Sequence, residues 1–116
     1  MIKVIKDFCF SAAHQLDLVG DHHRCKRLHG HNYRVRIECQ GQMDEKGMVI
    51  DFFDIKDKVK PLIESLDHRN INDVTGCNNT TSEFMCNWFK DKIGNDIPLS
   101  AIEVWETETC GARLEL

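Results

Sequence analysis

The sequence predicts an α+β domain, an antiparallel sheet in ββααββ order with two helices on one face. Three observations carry this. Apolar and polar residues alternate through Ile2–Ala13 and again through His31–Gln40, apolar residues recur at helical spacing between Phe52 and Ile93, and alternation returns after Ala101. The chain's 116 residues suit one domain, 1–116, with one core. A composition of 41% hydrophobic and 29% charged residues is that of an ordinary globular protein. Its net charge of -4 excludes the broad basic field that a nucleic-acid surface needs.

The first strand is expected from Ile2 to Ala13, with Ile2, Val4, Phe8, Phe10 and Ala12 on one face. Gln15 to Arg27 reads as a polar loop. The second strand, His31 to Gln40, sets Tyr33, Val35, Ile37 and Cys39 against Arg34, Arg36, Glu38 and Gln40. Gly41 to Gly47 reads as a turn, and Met48-Val49-Ile50 as a short returning strand. Asp51 is placed to cap a helix bearing Phe52, Ile55, Val59, Leu62, Ile63 and Leu66, which Pro61 should kink or locally break. Thr80 and Glu83 have capping-box spacing before a second helix with Phe84, Met85, Trp88, Phe89 and Ile93. Strands Ala101–Thr107 and Ala112–Leu116 close the chain, and so small a sheet leaves edges that association of copies would cover.

No apolar stretch approaches a bilayer span, and the N-terminus alternates charge with apolar residues, so neither membrane insertion nor an export signal is expected; a cytoplasmic location follows. The six cysteines lack paired-motif spacing and should be reduced thiols, with Cys9, Cys39 and Cys86 as small buried hydrophobes.

The chemistry concentrates around His29-Gly30-His31. Residues two apart on a strand share a face, so both imidazoles aim at one point. His14, ending the first strand on the parity of Phe8, Phe10 and Ala12, supplies a third. Three histidines without a fourth protein ligand make a zinc site with an open position, the mark of a catalytic centre. Taken singly, each also fits a hydrogen-bonded core or surface histidine. Cys25 lies in Asp21-His22-His23-Arg24-Cys25-Lys26-Arg27, where cationic neighbours and a nearby metal suit a reactive thiolate; the alternative is an incidental loop cysteine. Asp67-His68 is either a turn or an oriented proton-transfer pair. Glu106 continues the apolar row of Ile102 and Val104, and is either an exposed strand-end carboxylate or an acceptor for a planar, guanidine-like donor edge.

Phe10-Ser11-Ala12-Ala13-His14, Cys25 through Tyr33, Asp51-Phe52, Leu66-Asp67-His68-Arg69-Asn70-Ile71-Asn72, Thr80-Thr81-Ser82-Glu83 and Val104-Trp105-Glu106-Thr107 together resemble the 6-pyruvoyl tetrahydropterin synthase family, over nearly the whole chain. Within it they look most like the bacterial branch of queuosine biosynthesis that forms 6-carboxy-5,6,7,8-tetrahydropterin; three residues between Cys25 and His29, and the short chain, point to that branch. The resemblance implies a tunnelling fold, an oligomeric barrel built usually as a hexamer of two trimers, with active sites between subunits. It implies Zn2+ on His14, His29 and His31 and a catalytic Cys25. It also implies an Asp67-His68 dyad lent by a neighbouring subunit, and a pterin bound at Glu106 with Thr80 and Thr81. The implied reaction turns 7,8-dihydroneopterin triphosphate into 6-carboxy-5,6,7,8-tetrahydropterin, acetaldehyde and triphosphate. The alternatives are elimination of triphosphate without carbon-carbon cleavage, and a non-catalytic pterin- or zinc-binding module. Arg24, Lys26 and Arg27 either contact the phosphates or form a solvated charged loop.

Overall fold

A computed structural model describes residues 1–116. Period-two alternation produces two long strands, β1 (Ile2–His14) and β2 (His29–Gly41), paired antiparallel along their whole length from Ile2↔Gly41 to His14↔His29. β3 (Leu99–Trp105) lies on the other side of β2, and β4 (Gly111–Glu115) on the far side of β3, so the sheet order is β1-β2-β3-β4. The helices α1 (Phe52–Leu66), α2 (Ile71–Thr75) and α3 (Ser82–Ile93) fall between β2 and β3 in the chain.

One face of the sheet carries Phe10, Tyr33, Val35, Ile37, Ile102 and Val104, which bury against Ile55, Val59 and Leu66 of α1 and Met85, Phe89 and Ile93 of α3. Each such burial contributes about 1.5–3 kcal/mol. The opposite face is an ion-pair lattice. Arg36 makes a two-pronged contact with Asp7 at 2.8 and 3.0 Å, and Arg113 bonds Glu38 and Glu103. Glu38 is thereby only 5% exposed although it faces away from the core. Arg113 holds its carboxyl below the usual carboxylate range against the opposing effect of burial.

Several expectations are corrected. Met48-Val49-Ile50 forms no strand. β2 already has β1 on one side and β3 on the other, so a returning segment finds no free edge. Asp44 instead ties the turn, accepting from the N–H groups of Lys46 and Met48 at 2.8 and 3.0 Å. Pro61 does not break α1: Pro61 and Asp57, whose carbonyl would lose its partner, are both exposed to water. Phe52 and Cys9 are exposed rather than core residues. There are three helices, not two. The unexpected α2 is capped by the Asn70 side chain, which accepts from the Asn72 N–H, and closed by Gly76 at φ 72°, where a left-handed residue is needed. No helix is long and apolar enough to cross a membrane.

Pairing of β2 with β3 begins only at Arg34↔Trp105. The stretch His29–Tyr33, with its β1 partners Phe10–His14, therefore overhangs the sheet. There the backbone edge of β1 is covered instead by the segment after α1: Ser11 bonds Asp67 and His68, and Ala13 donates to the Arg69 carbonyl.

Candidate metal centre and active site

The overhang gathers the three histidines. His14 and His29 are direct cross-strand partners, His31 pairs with Ala12, and the core-facing parity of both strands turns all three rings to one side. Their ring centroids lie 4.6, 4.8 and 5.1 Å apart, and one nitrogen from each falls within 4.8 Å of the others. This group could hold a metal ion.

Hydrogen bonding tests the fit. Nδ1 of His14 stands 2.8 Å from the Thr80 carbonyl, and Nδ1 of His29 stands 2.6 Å from the Arg27 carbonyl. A carbonyl only accepts, so both Nδ1 atoms carry the proton and both Nε2 atoms present lone pairs. Those two lone pairs face each other at 3.0 Å. With no proton between them the contact is a repulsion rather than a hydrogen bond. His31 Nε2 is buried with no hydrogen-bond partner, since Glu106 at 3.7 Å is too distant to accept. Two inward lone pairs and a third buried ring nitrogen without a partner match a shared cation, and outer carbonyls orient the His14 and His29 rings as metal-binding histidines require.

Burial lowers the pKa of His14 and of His31 below the ordinary 6.5; the Thr80 carbonyl and the Glu106 carboxylate oppose the shift at His14, and Glu106 opposes it at His31. Both rings are therefore held neutral, the ligand form. The sign for stability follows. Below 6.5 the unfolded chain takes up protons at these positions that the folded chain refuses. The metal-free protein accordingly loses stability as pH falls from 6.5 toward the lowered native values. Thermal melts of metal-free protein between about pH 7.5 and 5.5 should show Tm declining, and a flat profile would contradict the buried neutral cluster.

Tyr33, read in the sequence only as a core residue, is a wall of the site. Its ring meets His14 and His31 edge-on at 5.8 and 5.5 Å and stacks on Phe10 at 4.9 Å. Its shared parity with His29 and His31 was the available signal. Burial pushes its phenol pKa up, so the hydroxyl remains protonated.

Glu106 leaves β3 where the pairing with β2 begins, and Trp105 fixes the direction of departure. The indole lies over Gly111, where a Cβ would come within 2.5 Å of it, under the Arg34 guanidinium at 5.1 Å, and donates to Glu103 at 2.7 Å. Glu106 Oε2 is then 3.7 Å from His31 Nε2, and the carboxylate has no lysine or arginine partner. It stays outside the three-histidine group and is free to accept a planar pair of donors.

Cys25 sits in a 3-10 turn, Arg24–Lys26, whose cap is the His23 ring, accepting from the Cys25 N–H at 3.1 Å. The Cys25 carbonyl accepts from Leu16 at 2.9 Å, which draws the turn beside the chain that has just left His14. Lys26 is bonded to Asp21 at 2.7 Å, whereas Arg24 and Arg27 are exposed without acidic partners.

Asp67 and His68 do not join the histidine group. They stand on the outer edge of β1, where Asp67 Oδ1 accepts from the Ser11 N–H and lies 3.0 Å from His68 Nδ1. The Ser11 N–H, assisted by His68, holds the Asp67 carboxyl below the usual carboxylate range. The His68 backbone is left-handed at φ 59°, a strained conformation for a residue with a side chain, and is held there by its N–H bond to the Ser11 carbonyl. Its imidazole is 82% exposed and lines an open cleft of about 610 Å³ with Gly30, Asn32 and Arg69.

Thr80 corrects one expectation. Thr81, not Thr80, caps α3, its hydroxyl accepting from the Phe84 N–H at 3.1 Å. Thr80 has no exposed surface, and its carbonyl and hydroxyl both face His14 Nδ1.

With this geometry in hand, the relatives are informative. The family model described as 6-pyruvoyl tetrahydropterin synthase matches residues 3–116. A protein of Synechocystis sp. named 6-carboxy-5,6,7,8-tetrahydropterin synthase is 39% identical, the match covering 95% of this chain and 90% of that one. A Pyrococcus furiosus protein named dihydroneopterin monophosphate aldolase is 30% identical, over 97% of this chain and 96% of its own. The structure of the Caenorhabditis elegans 6-pyruvoyl tetrahydropterin synthase superposes with a TM-score of 0.88 over 99% of this chain and 95% of that chain, at 23% identity, and so speaks for the fold.

Proposed function

Because the chain belongs to the 6-pyruvoyl tetrahydropterin synthase family, whose members here are lyase-type enzymes that process pterins, we propose that it converts 7,8-dihydroneopterin triphosphate and one water into 6-carboxy-5,6,7,8-tetrahydropterin, acetaldehyde and triphosphate, as in queuosine biosynthesis. The observation that carries this is the convergence of three imidazoles, two with Nε2 lone pairs turned inward and one with a buried, unpartnered Nε2, beside a carboxylate without a lysine or arginine partner.

His14, His29 and His31 would hold Zn2+, which supplies Lewis acidity toward charge developing on the substrate's side-chain oxygens. Glu106 accepts the guanidine-like edge of the pterin and so sets the position of the side chain. Cys25, as thiolate, removes and returns side-chain protons. His68, oriented by Asp67, assists the transfer in the site of a neighbouring copy. Supporting that assignment, the dyad stands on the outer edge of its own sheet and faces solvent. Thr80 and Thr81 would bind the pterin with Glu106, as the family resemblance implies, with Thr80 also standing behind His14 and Thr81 capping α3.

The outer edge of β4 and the Ile2–Phe10 stretch of β1 have no strand partner within the chain. Joining such edges between copies would close a barrel, and we assign the protein as a hexamer of two trimers in the cytoplasm.

The Pyrococcus relative favours one competing reading, an aldol-type cleavage of a monophosphate. Incubating zinc-loaded protein with dihydroneopterin triphosphate, and separately with the monophosphate, tests both. Release of acetaldehyde and inorganic triphosphate is expected from the first substrate. A pterin retaining all three side-chain carbons indicates the pyruvoyl product. A two-carbon aldehyde still bearing phosphate indicates the aldolase, and turnover of neither substrate a non-catalytic module.

A further inference from the structure

We propose that Asn72 is a positioning residue of the metal centre, reinforcing the His14 tautomer that the Thr80 carbonyl fixes by holding the proton of the Thr80 hydroxyl away from Nδ1; the proposal rests on the metal-centre reading above. Asn72 carries no charge and lies in a short helix that the sequence does not announce. Nothing in its spacing connects it to the histidines. The fold does so by bringing one amide against two chain segments.

The donor and acceptor roles are fully determined. Asn72 Nδ2 donates to the Gln15 carbonyl at 2.9 Å, and because a carbonyl cannot donate, the amide cannot flip. Asn72 Oδ1 therefore accepts, from the Gln15 N–H at 3.2 Å and from the Thr80 hydroxyl at 2.8 Å. The hydroxyl has one proton and gives it to Asn72. What it shows to His14 Nδ1, at 3.2 Å, is a lone pair. The Thr80 carbonyl, at 2.8 Å, offers a second acceptor to the same nitrogen. Nδ1 of His14 must then carry its proton, leaving Nε2 unprotonated toward His29 and His31.

Without Asn72 the Thr80 hydroxyl is free to rotate and donate to Nδ1. That would compete with the Thr80 carbonyl for Nδ1 and raise the share of the tautomer with a proton on Nε2, which cannot ligate. Thr80 and His14 have no exposed surface, whereas Asn72 is half-buried and lines a surface cleft with Gln15 and Asp73, so the replacement tested is a bulky apolar one that keeps water from its place. The same amide also grips both backbone groups of Gln15, the residue following His14, and holds the end of β1 in register with the segment entering α3.

The experiment measures zinc affinity by competition with a chelating dye, on the parent protein and on Asn72→Leu, Thr80→Val, Thr80→Ser and the Asn72→Leu/Thr80→Val double variant. Loss of a partner behind a metal ligand typically weakens binding about 10–100-fold, and that is the expected loss for Asn72→Leu. Thr80→Val removes the hydroxyl that could donate to Nδ1 and keeps the carbonyl, so it should lose less, and Thr80→Ser, which keeps the hydroxyl, should bind as the parent does. If Asn72 acts through that hydroxyl, the double variant binds more tightly than Asn72→Leu, because the misdirected donor is gone; independent structural damage would multiply. Should Asn72→Leu fail to fold, Asn72→Asp takes its place: its carboxylate still accepts from the hydroxyl, so near-parent affinity is expected and a loss of about 10–100-fold overturns the relay. Parent-like affinity in Asn72→Leu, or multiplying losses in the double variant, overturns the relay alone. Absence of zinc binding by the parent overturns the metal centre and the relay with it.

Discussion

Replacing Cys25 with alanine is expected to lower kcat by about 10²–10⁴-fold, the range for removing a group that transfers protons in the rate-limiting step, while leaving the metal content at one per chain. The separation follows from placement. Cys25 is carried by a turn bonded to Leu16, and its backbone, not its side chain, makes the contacts that hold that turn. Losing Sγ therefore leaves the turn in place and the three imidazoles untouched. KM should change little, because Glu106, on a different element, holds the ring of the substrate in this scheme. Steady-state rates with metal analysis on the same preparation check this. Parent-like turnover in a zinc-loaded variant would remove the thiolate from the chemistry.

His31→Ala should have the second large effect, on metal binding itself. It removes one of three ligands, so zinc affinity should fall by more than the roughly 10–100-fold that losing an outer partner costs, and turnover should fall with metal occupancy. The metal-free protein should nevertheless keep its fold. His31 Nε2 is buried and makes no hydrogen bond, so in the absence of metal it is a liability, and its removal leaves no partner stranded. His14→Ala would behave differently, because it also abandons the Thr80 carbonyl inside the protein. Zinc titration and far-UV circular dichroism of His31→Ala, with and without metal, distinguish a lost ligand from a lost fold.

These two cases show which parts of the molecule were legible in the sequence. Residues that act through one strand were legible. The parity of His14, His29 and His31 follows from counting by two, and the hairpin pairing of β1 with β2 turns a shared face into a cluster. The Asp51 cap of α1 and the core row of β2 were readable in the same way. What was not readable depends on which elements meet. Met48-Val49-Ile50 has strand composition, but whether β2 retains a free edge is decided by β3, sixty residues away in the chain. Thr80 and Thr81 are equally good caps by composition, and a one-residue shift sends one hydroxyl to the end of α3 and the other to His14. Asn72 and Tyr33 gain their roles only once α2 and the overhang are packed. The Asp67-His68 pair was visible as a pair, but its station on the outer edge of β1 was not.

The central claim is tested most directly by X-ray absorption at the zinc edge, together with metal analysis, on protein loaded with one equivalent of zinc. Three imidazole nitrogens at about 2.0–2.1 Å and a single exchangeable oxygen or nitrogen neighbour are predicted, with that neighbour replaced when a substrate analogue is added. A shell closed by a fourth protein ligand, such as Cys25 sulfur or the Glu106 carboxylate, or protein that retains no stoichiometric metal, would contradict it.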